Sequence, residues 1–512
     1  MTATPEPCFP PIQTIRKFTP LPLSYGSLTF PSCTKNTVKL MNVDSQQTLQ
    51  DLGFLPLWTV NEIAQAVNGR IVKWGPPGTI STDTRTLQPN QWFFAISGQK
   101  FDAHNFISPE LSDKGCIGVI GNWVCDDWYG GFVEVYDDTV VSLMNMASYA
   151  RSRFHGAVIG VTGSVGKTTT KTMIALVIES LGLRVYQSPG NWNNLFGVAL
   201  SLIGIPRSAE AVVLEMGMSG KGEILELARM AMPFIRVILN VGASHLENFA
   251  CMEEICMAKG EILVEAKLGD VCVLNADDPL VMSLPVPTGV KKVLFGRKVG
   301  CDVRLVAAES TDGGHAVRVI LEKHNEMVQF IIPSPGLHLA QNACAAAAVA
   351  TLLGVPLSQV GISLSKFIPV HMRAELEVAR NGIKIINDAY NANPISTEAA
   401  INLLRSIECS RGKRVAILGD MLELGPTEIE SHEMILNHCC DAGIDLIGLV
   451  GNRFSTAAEN LNLKFLLADD AENLAAEITK RVNRNDVVLV KGSRAMQMEK
   501  VANALKQMEI QS

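Results

Sequence analysis

The sequence predicts an α/β protein of three domains: a small α/β unit, a central domain built on a glycine loop, and a Rossmann-like domain at the C-terminal end. Length is the first ground, since 512 residues exceed what one hydrophobic core supports. The second is the alternation of short β-branched runs with helical periodicity along most of the chain. The third is Ala157-Val-Ile-Gly-Val-Thr-Gly-Ser-Val-Gly-Lys-Thr-Thr-Thr170. It reads as a strand, a glycine turn and the start of a helix.

The elements follow in order. Asn61–Val67 has helical spacing and ends at Gly69; Trp92–Ile96, Cys116–Ile120 and Phe132–Tyr136 read as strands, and a helix runs over Val140–Arg153. The central domain continues with strands at Ala211–Glu215, Val237–Val241 and Val271–Asn275. A hairpin of Ala316–Glu322 with Val328–Pro333 comes next, then an alanine-rich helix after Gly336. Beyond Pro369 the pattern restarts, with strands at Ile383–Asn387, Arg414–Leu418, Leu446–Val450 and Val487–Val490, each followed by a helix. That is a doubly wound parallel sheet. The expected domains are 51–150, 151–369 and 370–512.

Residues 1–50 stand apart. Two acidic residues (Glu6, Asp44) face four basic ones, with frequent Ser, Thr and Pro and no periodicity. The composition is that of an organelle transit peptide, with the plastid stroma as the preferred address and the cytoplasm as the alternative. Net charge is −7, which argues against a nucleic-acid partner. The longest nearly apolar run, Ala343–Val355, is too short to span a bilayer. Twelve cysteines with no C-x-x-C pair read as reduced thiols.

The glycine loop carries the chemistry. Backbone N–H groups at a helix N-terminus and the positive end of its dipole suit a phosphate. Gly163, Ser164, Val165, Gly166 and Thr169 would cradle it, Lys167 would reach the β- and γ-phosphates, and the Thr168 hydroxyl would ligate Mg²⁺. Val161 stands where the common consensus has its first glycine, so the loop is a variant form. ATP is the expected ligand. Two further strand ends supply metal-ligand types: Glu215 closes Ala211–Glu215, and His245 follows the next strand after a short turn. Ligands gather beyond the carboxyl ends of parallel strands, so a carboxylate and an imidazole beside a phosphate loop could hold divalent ions.

The loop Thr162-Gly-Ser-Val-Gly-Lys-Thr-Thr169 resembles that of the Mur ligase family, and the likeness extends over nearly the whole chain from Thr82. Thr82-Asp-Thr-Arg85 and Phe101-Asp-Ala-His104 look like the family's uridine-nucleotide site, which implies Thr82, Asp83, Thr84, Arg85, Asp102 and His104 there. Glu215 and His245 match its magnesium ligands. Ala258-Lys-Gly-Glu261 matches the segment whose lysine is carbamylated, which casts Lys259 as a further ligand to the metal. Asn275, His338 and Asn342 match nucleotide-contacting stretches, although Leu339 stands where the family has an asparagine. Arg373 lies at the linker arginine. Asp388-Ala-Tyr-Asn-Ala-Asn-Pro394, Gly419–Gly425 and Lys491-Gly-Ser-Arg494 look like C-terminal domain motifs.

The resemblance implies an ATP-dependent carbon–nitrogen ligase with Mg²⁺, in which Lys167, Lys259, His245 and Glu215 are catalytic. A carboxylate becomes an acyl phosphate and an amine then displaces phosphate. Arg373 and Asp388 would orient nucleotide or intermediate as the domains close. The dipeptide-adding branch is favoured, with UDP-MurNAc-tripeptide as acceptor and D-Ala-D-Ala as donor in peptidoglycan-precursor synthesis, and a monomer is expected. Asn391, Asn393 and Ser396 are candidate contacts to dipeptide or acceptor, with turn formation as the competing explanation. The other readings are a different Mur-type ligase, a folylpolyglutamate synthase-like enzyme, or an organellar scaffold that retains the fold.

Overall fold

A computed structural model describes residues 57–98, 101–463 and 465–508. The leader expected over 1–50 lies outside the described residues. Three large sheets follow one another along the chain, as the alternation of strand and helix signals requires, with a two-stranded ribbon of Ser97–Gly98 and Phe101–Asp102 besides.

The first sheet has five strands in the order Arg70–Lys73, Gly131–Glu134, Cys116–Gly121, Gln91–Phe94, Thr79–Ser81. Only the Arg70–Lys73 pairing is antiparallel. The helix Val60–Val67 starts at a capping box, in which Thr59 and Glu62 satisfy each other's backbone N–H groups. Its left-handed cap is Asn68 at φ 52°, so the helix stops one residue before the glycine that the sequence suggests. The helix Thr139–Ser152 packs on it and runs two residues past the expected boundary at 150.

The second sheet has nine strands: Glu326–Ile332, Ala316–Lys323, Val303–Thr311, Lys291–Gly296, Val271–Asn275, Ile235–Ile238, Ala157–Thr162, Ala211–Glu215 and Val185–Gln187, in that order. From Val303–Thr311 onward it is parallel; the first two pairings are antiparallel. The expected hairpin is therefore present, and it turns at His324-Asn325, both with positive φ, as tight hairpin turns need. Lys291–Gly296, Val303–Thr311 and Val185–Gln187 are additions to the sequence reading. The alanine-rich helix His338–Leu352 lies against the helix Lys167–Glu179. Ala343, Ala346, Ala347 and Ala350 are fully buried, and their small side chains let the two backbones approach closely.

The third sheet has six strands in the order Glu375–Val378, Lys384–Asp388, Val487–Lys491, Arg414–Gly419, Leu446–Val450, Leu466–Ala468. The four expected strands are parallel, and Leu466–Ala468 extends them. The expectation of a wholly parallel sheet needs one correction: Glu375–Val378 joins the edge antiparallel, because it reaches Lys384 through a short turn rather than a crossover helix. The boundary at 369/370 falls in the connection between the helix Leu357–Leu364 and this edge strand. Among the described residues no helix is long and apolar enough to cross a membrane.

Candidate active site

Gly163–Gly166 leave the carboxyl end of Ala157–Thr162, and the helix begins at Lys167. Gly166 has φ +83°, and a Cβ there would lie 2.6 Å from Asn342 Oδ1, so glycine serves both the turn and the close approach. The loop is held from outside. Val165 N–H donates to Asn240 Oδ1 (2.9 Å), and Asn240 Nδ2 donates to Val165 O (3.1 Å). Ser164 Oγ donates to Gly242 O (2.9 Å) and accepts from Gly242 N–H (2.8 Å). Lys167 folds back over the loop and donates to Gly163 O at 2.8 Å. Neither Asn240 nor Gly242 belongs to a motif, and both sit just past the strand Ile235–Ile238.

Thr168 Oγ1 donates to Glu215 Oε2 at 2.8 Å. Glu215 is 1 % exposed; its other oxygen accepts from Asn193 Nδ2 (2.8 Å), and Lys171 Nζ stands 3.8 Å from Oε2. Lys171 is itself buried and donates to Ser188 O and Gly190 O, which fastens the loop that delivers Asn191, Asn193 and Asn194. The Thr168–Glu215 pair suits Mg²⁺. Octahedral oxygens at about 2.1 Å from the ion lie about 3 Å from one another, the spacing found here. Among the described residues no three His, Cys, Asp or Glu side chains cluster as a metal cage. A Mg²⁺ that takes its remaining ligands from water and phosphate needs none.

His245 borders the same space, at φ 57° and with Nδ1 2.5 Å from Glu423 Oε2. Burial lowers its pKa; Glu423 opposes this, and the Lys167 and Lys259 cations reinforce it. Lys259 projects from the helix Met252–Val264, 2 % exposed, and among the described residues it has no hydrogen bond or ion pair. Burial, with the Lys167 cation adding to it, drives the Lys259 pKa well below the usual lysine value.

The third domain supplies the facing wall. Arg373 reaches across to donate to Thr168 Oγ1 (3.1 Å), and its guanidinium lies 4.0 Å from the Tyr390 ring centroid. Asp388 accepts from Ala374 N–H (3.0 Å) and from Lys491 Nζ (2.6 Å); Lys491 also donates to Asn391 O (2.8 Å). Asn393 and Ser396 form a capping box at the start of Pro394–Ser406, so turn formation accounts for their side chains. Asn391 uses only its Oδ1, on the neighbouring Ala392 N–H.

Together these groups line a cavity of about 760 Å³, which also takes in His338, Asn342, Lys491 and Arg494. Asn342 is buried, and its Nδ2 has no partner among the described residues. One expected nucleotide contact is missing from the wall. Asn275 spends its amide on Leu239 O, Asp277 N–H and Gln341, tying strand ends together inside the fold. Leu339, at the family's asparagine position, is turned into the core.

The six residues expected at a uridine nucleotide lie in the first domain. Thr82 and Thr84 are half-buried, and Asp83 and Arg85 form a two-pronged ion pair that holds the Asp83 carboxyl down to about 2. His104 is 1 % exposed, with Nδ1 2.5 Å from Asp102 Oδ1 and Nε2 accepting from Asn122 N–H at 2.8 Å. Both ring nitrogens are taken, so none is left for a ligand. Trp123 stacks on its face.

Comparison with known proteins covers most of the chain. Residues 161–350 match the family described as Mur ligase middle domain, and 372–494 match Mur ligase, glutamate ligase domain. A Bacillus subtilis protein named UDP-N-acetylmuramoyl-tripeptide–D-alanyl-D-alanine ligase is 34 % identical over 459 residues, covering 87 % of this chain and 98 % of the relative. Among solved structures, MurF from Acinetobacter baumannii superposes with a TM-score of 0.77 at 29 % identity, covering 89 % of this chain and all of the other. MurF ligase from Thermotoga maritima in complex with ADP gives 0.71 at 28 % identity, covering 84 % and 97 %.

Proposed function

The chain belongs to the Mur ligase family, and from that premise we propose that it joins D-alanyl-D-alanine to UDP-N-acetylmuramoyl-tripeptide at the expense of ATP. The observation that carries this reading is the convergence on the Thr168 hydroxyl. The phosphate loop supplies it, Glu215 accepts from it, and Arg373 of the third domain donates to it. A donor substrate held by the third domain and a nucleotide held by the second would therefore meet at one point.

The tripeptide's terminal carboxylate oxygen attacks the γ-phosphorus and ADP leaves, giving an acyl phosphate. The dipeptide amine then attacks the acyl carbon, loses a proton and expels phosphate. Positioning and charge neutralisation are what such a transfer asks of a protein. The loop N–H groups and Lys167 bind the phosphates, and Arg373 meets negative charge arriving at Thr168. Thr168 and Glu215 would hold Mg²⁺, which would neutralise charge at the phosphate oxygens. Asp388, fixed by Lys491 and Ala374, and Asn391 beside it face the side from which the dipeptide would enter. Closure of the third domain keeps water from the acyl phosphate.

Lys259 is proposed as a carbamate. Burial and the Lys167 cation disfavour the ammonium form of Lys259, and a neutral amine there would add to CO₂ with loss of a proton to become an anion. That anion would sit next to His245 as a second metal-ligand group, where an ammonium would repel the ion. For residues 1–50 a plastid-targeting role is proposed, supported by their shortage of acidic residues. A fluorescent protein carrying them should enter plastids, and a cytosolic signal would overturn that address.

The deciding experiment is phosphate release by the purified chain with ATP, Mg²⁺ and UDP-MurNAc-tripeptide, with and without D-Ala-D-Ala. Release that needs both substrates, with a UDP-MurNAc-pentapeptide by mass spectrometry, is the expected result. Folded, ATP-binding protein that yields no pentapeptide would overturn the reading.

A further inference from the structure

Glu423 lines the same cavity without a role assigned to it so far, and among the described residues it is the third-domain carboxylate that stands against His245. The loop that carries it follows the strand Arg414–Gly419 and is fastened on its own side by buried groups. Asp420 accepts from Arg453 N–H (3.1 Å) and Phe454 N–H (3.0 Å). Met421 N–H donates to His432 Nε2 (2.9 Å), and Leu422 N–H donates to Ser493 Oγ (2.8 Å). From that frame the loop crosses to the central domain. Glu423 O accepts from Glu247 N–H at 3.3 Å, and Gly425 presses on the Glu247 backbone.

Two strained residues meet at this crossing. Glu423 has φ 67° and His245 φ 57°, both left-handed without being glycine. Such conformations persist only where surroundings impose them, and they concentrate at functional sites. Glu423 Oε2 lies 2.5 Å from His245 Nδ1, close enough for the carboxylate charge to favour a proton on that nitrogen although the contact is not aligned as a hydrogen bond. Nδ1 is buried and has no hydrogen-bond partner among the described residues. A histidine that binds a ligand through one ring nitrogen commonly has the other held by a carboxylate, which fixes tautomer and ring orientation.

We propose that Glu423 is a positioning residue, which holds the Nδ1 edge of His245 from across the domain boundary so that Nε2 is the unprotonated, ligand-binding nitrogen. This rests on the reading of His245 as a ligand-binding group of the ligase site. Because the two residues come from different domains, the ring is set only when the third domain is docked. Closure and assembly of the site are then one event.

The test compares wild type with Glu423→Ala and Glu423→Gln, using protein with ¹⁵N-labelled histidine and no nucleotide or metal. Wild type should show His245 as the Nδ1–H tautomer, and Glu423→Ala should shift it toward Nε2–H. In the ligation assay kcat should fall about tenfold or more, while KM for ATP moves less than about threefold. Glu423→Gln keeps an acceptor oxygen and should fall between the two. Thermal melts confirm that each variant folds, and the glutamine variant decides if the alanine variant does not. A tautomer that does not change, or a shifted tautomer with unchanged kcat, overturns the proposal. Wild type that makes no pentapeptide would instead overturn the ligase reading, so the two failures are told apart.

Discussion

Arg373 Nη2 donates to Thr168 Oγ1 across 3.1 Å, although 205 positions separate them in the chain. The contact joins the linker of the third domain to the first turn of the phosphate-loop helix. Its geometry is costly, since Met372 (φ 59°) and Ala374 (φ 51°) on either side of Arg373 are both left-handed. Asp388 holds the strain by accepting from Ala374 N–H, and Tyr390 holds it by stacking under the guanidinium. The fold thus tolerates two awkward residues to bring one cation to the phosphate end of the cavity.

Arg373→Lys tests that placement. Lysine keeps the charge and loses both the planar fork and the stacking on Tyr390. Ligation kcat should fall about tenfold or more, with the melting temperature nearly unchanged because the side chain lies in the cavity. A kcat within twofold of wild type would show that charge alone suffices.

Gly166→Ala should damage nucleotide binding more than folding. Alanine at φ +83° costs about 1 kcal/mol of strain, and its Cβ would meet Asn342 Oδ1 at 2.6 Å. The asparagine has to yield, and the loop N–H groups lose their aim. ATP affinity by calorimetry should drop about tenfold or more, which corresponds to about 1.4 kcal/mol.

The phosphate loop, Glu215 and the strand pattern were legible because each is encoded locally. A turn, a strand end or a period can be read within ten or twenty residues. The four strands of the third sheet were placed within a residue or two for that reason. What was missed depends on distant pairing. Asn240 matters because Val165 folds next to it; Glu423 lies inside the Gly419–Gly425 motif, but its pairing with His245 is visible only in the fold. Lys291–Gly296 opens on two exposed lysines and so lacks a strand's apolar start, although Val293, Phe295 and Gly296 are buried. Asn393, Ser396 and His104 show the reverse case. Their residue types suit ligand contact, and the fold consumes them in a helix cap and a buried ring network.

Glu215→Gln should have two separable effects. Lys171 loses the buried carboxylate 3.8 Å from its ammonium, which should destabilise the fold by about 3–5 kcal/mol in denaturant melts. The ion site loses its one formal negative charge, so the Mg²⁺ needed for half-maximal phosphate release should rise about tenfold or more. An unchanged Mg²⁺ requirement would remove Glu215 from the ion site.

His104→Ala should act on stability and leave substrate binding alone. The change empties a buried ring site and leaves Asn122 N–H without its acceptor, a loss of about 2–4 kcal/mol. Measured on the folded fraction, KM for the UDP substrate should change less than about threefold. A large KM effect with normal stability would restore His104 to the ligand site.

His432 gives a pH dependence with a defined sign. The ring is fully buried; Nδ1–H donates to Glu428 O (2.6 Å), and Nε2 accepts from Met421 N–H (2.9 Å). Burial lowers its pKa, with the Glu428 carbonyl and the Asp420 charge opposing. The unfolded chain takes a proton near the ordinary value of about 6.5, while the folded chain takes it only at lower pH. Below about 6.5 the unfolded state therefore binds more protons, and stability falls as pH drops from there toward the folded value. The slope contributed by this one group is at most about 1.4 kcal/mol per pH unit. Protonation also forfeits the Met421 N–H bond, which loosens the loop that presents Glu423. Urea midpoints at pH 8 and pH 5.5 should diverge more for wild type than for His432→Gln. Equal divergence in the two proteins would assign the acid sensitivity to other groups.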